Sequence, residues 1–286
     1  MSVDKLQEKI RKLKNPSVID FSVTEDMIPT HILAEEGNFE AGCLRFCREL
    51  MMELKGIVPA VRLSYSHYAL LGQLSVLHQL TELASMQGFY VIVDAPEALS
   101  AQAAELAASQ MLSMNCDGIL VSAYVGSDGV KPYVKKLKSS GKALFVVVRT
   151  ANKSASELQD LMTGSRLVHM AAADMVNRMG EPYPCRCGYN QVGALASASS
   201  ADSLKSLRAK YKNVFLLLDG YDYPNANAKN CSYAFDKLGH GAAACAGSSV
   251  TAAWKIDGTD GTEYVSQAVQ AAERMKKNIT RYITVL

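Results

Sequence analysis

Eight short apolar runs, separated by stretches of helical periodicity, constrain this chain more than any other feature. They are Ser17–Ser22, Ile57–Leu63, Phe89–Asp94, Gly118–Ser122, Ala143–Arg149, Gln191–Ser197, Val214–Asp219 and Gly241–Ala246. Tyr90-Val91-Ile92-Val93 and Leu144-Phe145-Val146-Val147-Val148 are apolar at every position. A strand exposed on one face would alternate, so these read as parallel strands covered on both faces. Between them, Ala101–Met114 repeats Ala, Leu and Met at helical spacing, and Ala201–Arg208 reads as an amphipathic turn capped by Asp202. Eight strand–helix units predict right-handed crossovers and a closed (β/α)8 TIM barrel. Such a barrel takes about 250 residues, so 286 residues form one α/β domain, 1–286, entered by an amphipathic helix at 1–15. No linker-like composition divides the chain, and Gly180–Gly188 and Asp219–Asn230 read as strand-to-helix loops.

Composition removes several function classes. Thirty Lys plus Arg against 28 Asp plus Glu leave a formal charge of +2, too balanced for a nucleic-acid or anionic-lipid footprint. Charges interrupt the first fifteen residues, which excludes a signal-peptide pattern there, and polar residues or glycine punctuate every apolar run before it could span a membrane. Seven cysteines without a disulfide-type spacing point to a reducing compartment, the cytoplasm. Cys185-Arg186-Cys187 is the one pair that could ligate a soft metal or sense oxidation, although two thiolates need further ligands and none stands at metal spacing.

In a barrel of this type the functional face is built at the carboxyl ends of the strands. Those ends read Ser22, Ser64, Asp94, Ser122, Thr150, Ser197, Asp219 and Gly247, a small polar set without an evident base, metal cluster or nucleophile–histidine pair. Asp94 has three roles open to it: orienting a ligand hydroxyl, capping a neighbouring helix, or pairing with Arg62. The five histidines, at 31, 67, 78, 169 and 240, stand singly and carry no expected chemistry. Tyr221 and Tyr223 could line a pocket; Trp254 reads as core.

The strand-end segments Val91-Ile92-Val93-Asp94-Ala95-Pro96-Glu97, Ser122-Ala123-Tyr124-Val125-Gly126-Ser127-Asp128 and Phe145-Val146-Val147-Val148-Arg149-Thr150-Ala151-Asn152 resemble strands three to five of the bacterial-type, longer orotidine 5'-phosphate decarboxylases. The likeness continues through Ala194–Ser199, Leu218-Asp219-Gly220 and Gly247-Ser248-Ser249. It implies a dimer that removes CO2 from orotidine 5'-phosphate to give UMP without cofactor or metal, using a lysine ammonium set among aspartates, one of them from the second subunit.

The family's Asp-x-Lys-x-x-Asp motif here reads Asp94-Ala95-Pro96-Glu97-Ala98-Leu99, so proline and leucine replace the lysine and the second aspartate. The earlier lysine aligns near Pro59 and the strand-one aspartate near Ser22, with Arg62 able to reach the pocket if the alignment slips. The family's glycine-rich phosphate loop becomes Gly220-Tyr221-Asp222-Tyr223-Pro224-Asn225-Ala226, and its Ser-Ser-Arg becomes Ser248-Ser249-Val250. Asp222 is expected to repel phosphate, and the arginine clamp is gone. The resemblance therefore predicts a vestigial pocket of Ser22, Asp94, Ser122, Arg149, Thr150, Ser199, Gly220, Ser248 and Ser249. It also predicts lost decarboxylation and a structural or regulatory role, as a homodimer or with a catalytic paralogue. A working decarboxylase with relocated groups, another lyase on a nucleotide- or sugar-phosphate-like ligand, and a thiol sensor at Cys185 and Cys187 are the alternatives. A nucleotide monophosphate is the ligand any retained site would take.

Overall fold

The computed structural model describes residues 2–285. Its eight parallel strands are β1 (Ser17–Asp20), β2 (Ala60–Ser64), β3 (Tyr90–Asp94), β4 (Gly118–Ser122), β5 (Ala143–Val147), β6 (Val192–Ser197), β7 (Leu216–Asp219) and β8 (Ala242–Ala246). Each pairs with the next in sequence, and β8 pairs with β1 through Ser17 opposite Ala244, so the sheet closes on itself and leaves no edge. The strands coincide with the eight apolar runs; β4 keeps the bounds of its run, and each of the others begins later or ends earlier. β1 ends at Asp20 rather than Ser22, and β2 begins at Ala60 rather than Ile57.

Successive strand residues point to opposite sides of the sheet, and this period of two sorts the core into two layers. Val18, Ala60, Tyr90, Ile92, Leu120, Phe145, Phe215 and Leu217 fill the barrel itself. Their neighbours, such as Ile19, Val61, Val91, Val93 and Val146, face the surrounding helices. Phe145 is fully buried and meets Phe215 edge to face at 6.1 Å. Truncating it to alanine would cost about 3–5 kcal/mol.

Helices pack around the outside. Asn38 and Ser100 cap the helices Phe39–Leu54 and Ala101–Ser113 by accepting the amides of Ala41 and Ala103. The helix Ala201–Lys210 is capped differently from expectation. Ser200 holds the cap position, and Asp202 lies inside the first turn, where it pairs with Lys205 and favours the helix through its charge. The last helix, Tyr264–Thr280, stacks Tyr264 on Phe46 at 5.1 Å and completes the ring.

The amphipathic first helix, Ser2–Leu13, closes the amino-terminal end of the barrel. Val3, Leu6 and Ile10 join the barrel interior, and the Ser2 hydroxyl lies 2.8 Å from that of Tyr90. Gln7 accepts the Gly241 amide, and Asp4 accepts the Cys187 amide at 2.8 Å. The Cys185–Cys187 loop is therefore at the closed end of the barrel, opposite the strand ends where function is expected. A short antiparallel hairpin, Met162–Thr163 with Arg166–Leu167, precedes the helix Val168–Gly180 and was not anticipated, although Gly164-Ser165 is a two-residue turn signal.

Candidate functional site at the barrel mouth

The interior set of side chains ends, at the carboxyl ends of the strands, in charged groups. Asp20, Arg62, Asp94 and Asp219 are the last or next-to-last inward positions of β1, β2, β3 and β7, and they meet. The Arg62 guanidinium donates through Nη1 to Asp219 Oδ1 at 2.7 Å and through Nη2 to Asp94 Oδ2 at 3.1 Å. Its Nε lies 3.2 Å from Asp94 Oδ2 and 3.3 Å from Asp20 Oδ2. Its side chain is 14% exposed. Burial pulls the guanidinium pKa down, but the three carboxylates outweigh this and raise it further, so Arg62 is permanently charged.

One cation cannot neutralise three carboxylates, and the imbalance falls on Asp94. Burial raises its pKa, the Arg62 charge opposes the rise, and Asp20 and Asp219 add to it, giving a value of about 6. Its second oxygen, Oδ1, is buried and accepts no hydrogen bond. Of the three roles open to Asp94, pairing with Arg62 is the one the fold adopts.

Two placements made from sequence need correction. Ser22 is not the mouth residue of β1; Asp20 is. Ser22 braces it, its hydroxyl and amide donating to Asp20 Oδ1 at 2.6 and 2.8 Å. Ser22 has the same parity as Asp20 but lies two residues past it, so the apolar run Phe21–Val23 extended the apparent strand. Pro59 precedes β2 at the closed end of the barrel, and Arg62 is the β2 residue that reaches the mouth.

The remaining expected positions divide. Ser122 faces the mouth and accepts the Tyr124 amide, while Ser197 and Ser199 bond each other at 2.7 Å at the end of β6. Arg149 is turned away. Its guanidinium binds Asp160 through two bonds of 3.0 and 2.8 Å, and Thr150 is engaged by Gln159, so both shape the exit from β5 rather than face a ligand. Asp160 and Ser203 both contact His169, but Ser203 is buried in the first turn of its helix, and the three brace the structure.

On the opposite side of the mouth, Asp222 accepts the Gly247 amide at 2.7 Å and the Ser249 amide at 3.3 Å, and also the Ser249 hydroxyl. The turn that carries it begins at Gly220, with φ of +77°, where a Cβ would lie 2.3 Å from that of Ala151. Ser248 is exposed at the start of the short helix Ser248–Thr251, and Val250 is buried where the family pattern has arginine.

Beside Asp94, at the ends of β2 to β5 and the connections after β2, β3 and β4, lies a cavity of about 370 Å³. Asp94, Pro96, Glu97, Leu99, Ser122 and Tyr124 are among its walls. Leu99 is 84% exposed and does not fill it. Among the described residues no cluster of three or more His, Cys, Asp or Glu could hold a metal ion, and no helix is long and apolar enough to cross a membrane.

The fold and site define a single-domain parallel barrel whose open end carries a buried, carboxylate-rich charge cluster. Its residues 67–253 match the model of the Orotidine 5'-phosphate decarboxylase / HUMPS family, and the chain belongs to that family. It is 25% identical to the orotidine 5'-phosphate decarboxylase of Petrotoga mobilis over 286 residues, 98% of both chains. It is likewise 25% identical to that of Clostridium kluyveri over 287 residues, again 98% of both. The structure of orotidine 5'-monophosphate decarboxylase from Plasmodium berghei superposes with a TM-score of 0.78 at 12% identity, covering 98% of this chain and 99% of that one. The matched span begins beyond Asp20 and Arg62, the stretch where sequence alignment misplaced the mouth residues.

Proposed function

We propose that this chain is a family member that has kept the barrel and given up decarboxylation, acting as a structural or regulatory partner. The observation that carries the reading is the state of Arg62. It is the cation beside Asp94, it is tied to three carboxylates, and no lysine lines the adjoining cavity. A carbanion forming there would meet excess negative charge, and a guanidinium does not give up a proton at neutral pH. Losing one well-placed electrostatic group typically costs about 10²–10³ in rate, and here Pro96 and Leu99 replace two. The site for a phosphate is also altered, since Asp222 already occupies the amides of Gly247 and Ser249. The test is a decarboxylation assay of the purified chain with orotidine 5'-phosphate. A rate within a few orders of magnitude of an ordinary family member would refute the reading.

The partner is a second copy of this chain or a catalytic paralogue in the cytoplasm. Exposed Leu70, Leu99 and Leu106, on the connections after β2 and β3, support an apolar contact near the mouth. Sedimentation of the chain alone, then mixed with an active family member, distinguishes the two.

A second reading, an enzyme acting on a nucleotide- or sugar-phosphate-like ligand, is favoured by Asp94. A carboxyl with a pKa of about 6 on the wall of an open cavity is poised for proton transfer. Thermal shift with UMP and orotidine 5'-phosphate tests it, and no response to either would count against it.

A further inference from the structure

The cavity beside the charge cluster has walls of one electrical character. Its polar lining residues are the carboxylates Asp94 and Glu97 and the hydroxyl-bearing Ser64, Ser66, Ser122, Tyr124 and Tyr133, and no lysine, arginine or histidine is among its lining residues. The rest is apolar, from Pro96 and Leu99 at the rim to Leu120 and Val147 on the barrel floor. Arg62 offers an incoming anion little, because its donors are directed to Asp20, Asp94 and Asp219. Asp94 is short of a donor: one oxygen takes both contacts from Arg62, and the other accepts nothing. Oδ1 is buried as it stands, but the terminal torsion of an aspartate is soft, so the carboxylate can turn toward a donor in the cavity by loosening the Arg62 contacts on its other oxygen. A volume of about 370 Å³ falls within the range of small-molecule sites.

We infer that this cavity binds a small, apolar, cationic ligand, of the amidine or amine class, whose N–H groups complete the hydrogen bonding of Asp94. A planar amidinium fits best, since one of its N–H groups supplies the donor that Oδ1 lacks while its flat body lies against Pro96, Leu120 and Val147. A phosphate monoester meets two carboxylates and no available cation in the same space. The inference rests on the reading that the mouth no longer takes a phosphorylated nucleotide, and it adds what the mouth takes instead.

Titration calorimetry of the full chain at pH 7.5 with benzamidine, benzoate and UMP separates the possibilities. Benzamidine is expected to bind saturably, and benzoate, of the same size and opposite charge, is not. Asp94→Asn should weaken benzamidine at least tenfold. Ala98→Phe, which narrows the cavity at its rim without touching Asp94, should abolish binding, and it decides the matter should Asp94→Asn fail to fold. Equal binding of benzoate, or benzamidine affinity unchanged in Ala98→Phe, overturns the inference. Absence of both benzamidine and UMP binding overturns the inference alone, whereas saturable UMP binding overturns the reading beneath it as well.

Discussion

Asp222 Oδ2 accepts the backbone amide of Gly247 at 2.7 Å, placing a carboxylate of the chain against the turn by which it leaves β8. The same oxygen takes the Ser249 amide, so the turn is already satisfied by an internal anion. Asp222→Ala removes that anion and leaves two amides and a hydroxyl without an acceptor. Hydrogen exchange at Gly247 and Ser249 should accelerate by about tenfold, equivalent to about 1.4 kcal/mol of lost protection. Unchanged exchange would mean that Asp222 does not control this turn.

Arg62 is the keystone of the mouth. Arg62→Ala leaves Asp20, Asp94 and Asp219 facing one another without a cation, and breaking a buried ion pair in this way typically costs about 3–5 kcal/mol. Arg62→Lys keeps the charge but cannot reach three carboxylates at once, so its loss should be smaller. Urea unfolding at pH 7 measures both. If Arg62→Ala unfolds at the wild-type midpoint, the cluster contributes nothing to stability.

Asp94 gives stability a pH dependence of unusual sign. The folded carboxyl titrates at about 6, raised by burial, against an ordinary value of 3.8. Between roughly pH 4 and 6 the unfolded chain releases this proton while the folded chain keeps it, so the Asp94 contribution falls as pH rises and levels off above about 6. The difference amounts to about 3 kcal/mol at most. Asp94→Asn should therefore gain on the wild type as pH is raised through that window. A stability difference independent of pH between 4 and 7 would contradict the assignment.

Burial pushes the thiols of Cys185 and Cys187 up to about 12 and about 11, the reverse of what a redox sensor needs. An aromatic disulfide reagent at pH 7.5 should label neither on the timescale on which it labels the denatured chain. Rapid native labelling of either, or stoichiometric zinc, would restore the sensor reading.

The strands were legible because most are apolar runs broken only at their ends, and the parity of their residues followed from the period of two. Asp94 and Asp219 were legible as strand ends because a proline or glycine turn follows each of them, at Ala95-Pro96 and at Gly220. Asp20 was not, because Phe21 and Val23 continue the apolar pattern past the last paired residue. Arg62 was obscured for the opposite reason: a charge inside an apolar run looks like an interruption until its partners are known. Two of those partners, Asp20 and Asp219, lie 42 and 157 positions away in the chain.

The amino-acid order alone determined the barrel, since local periodicity and the need to cover both faces of each strand admit few other arrangements. It also determined that proline and leucine occupy positions 96 and 99. Only the tertiary structure decided that one arginine would hold three aspartates, that Asp222 would occupy the turn after β8, and that the cysteine loop would lie at the closed end. Those outcomes depend on strand register and barrel closure, which bring together charges that no local pattern in the sequence connects.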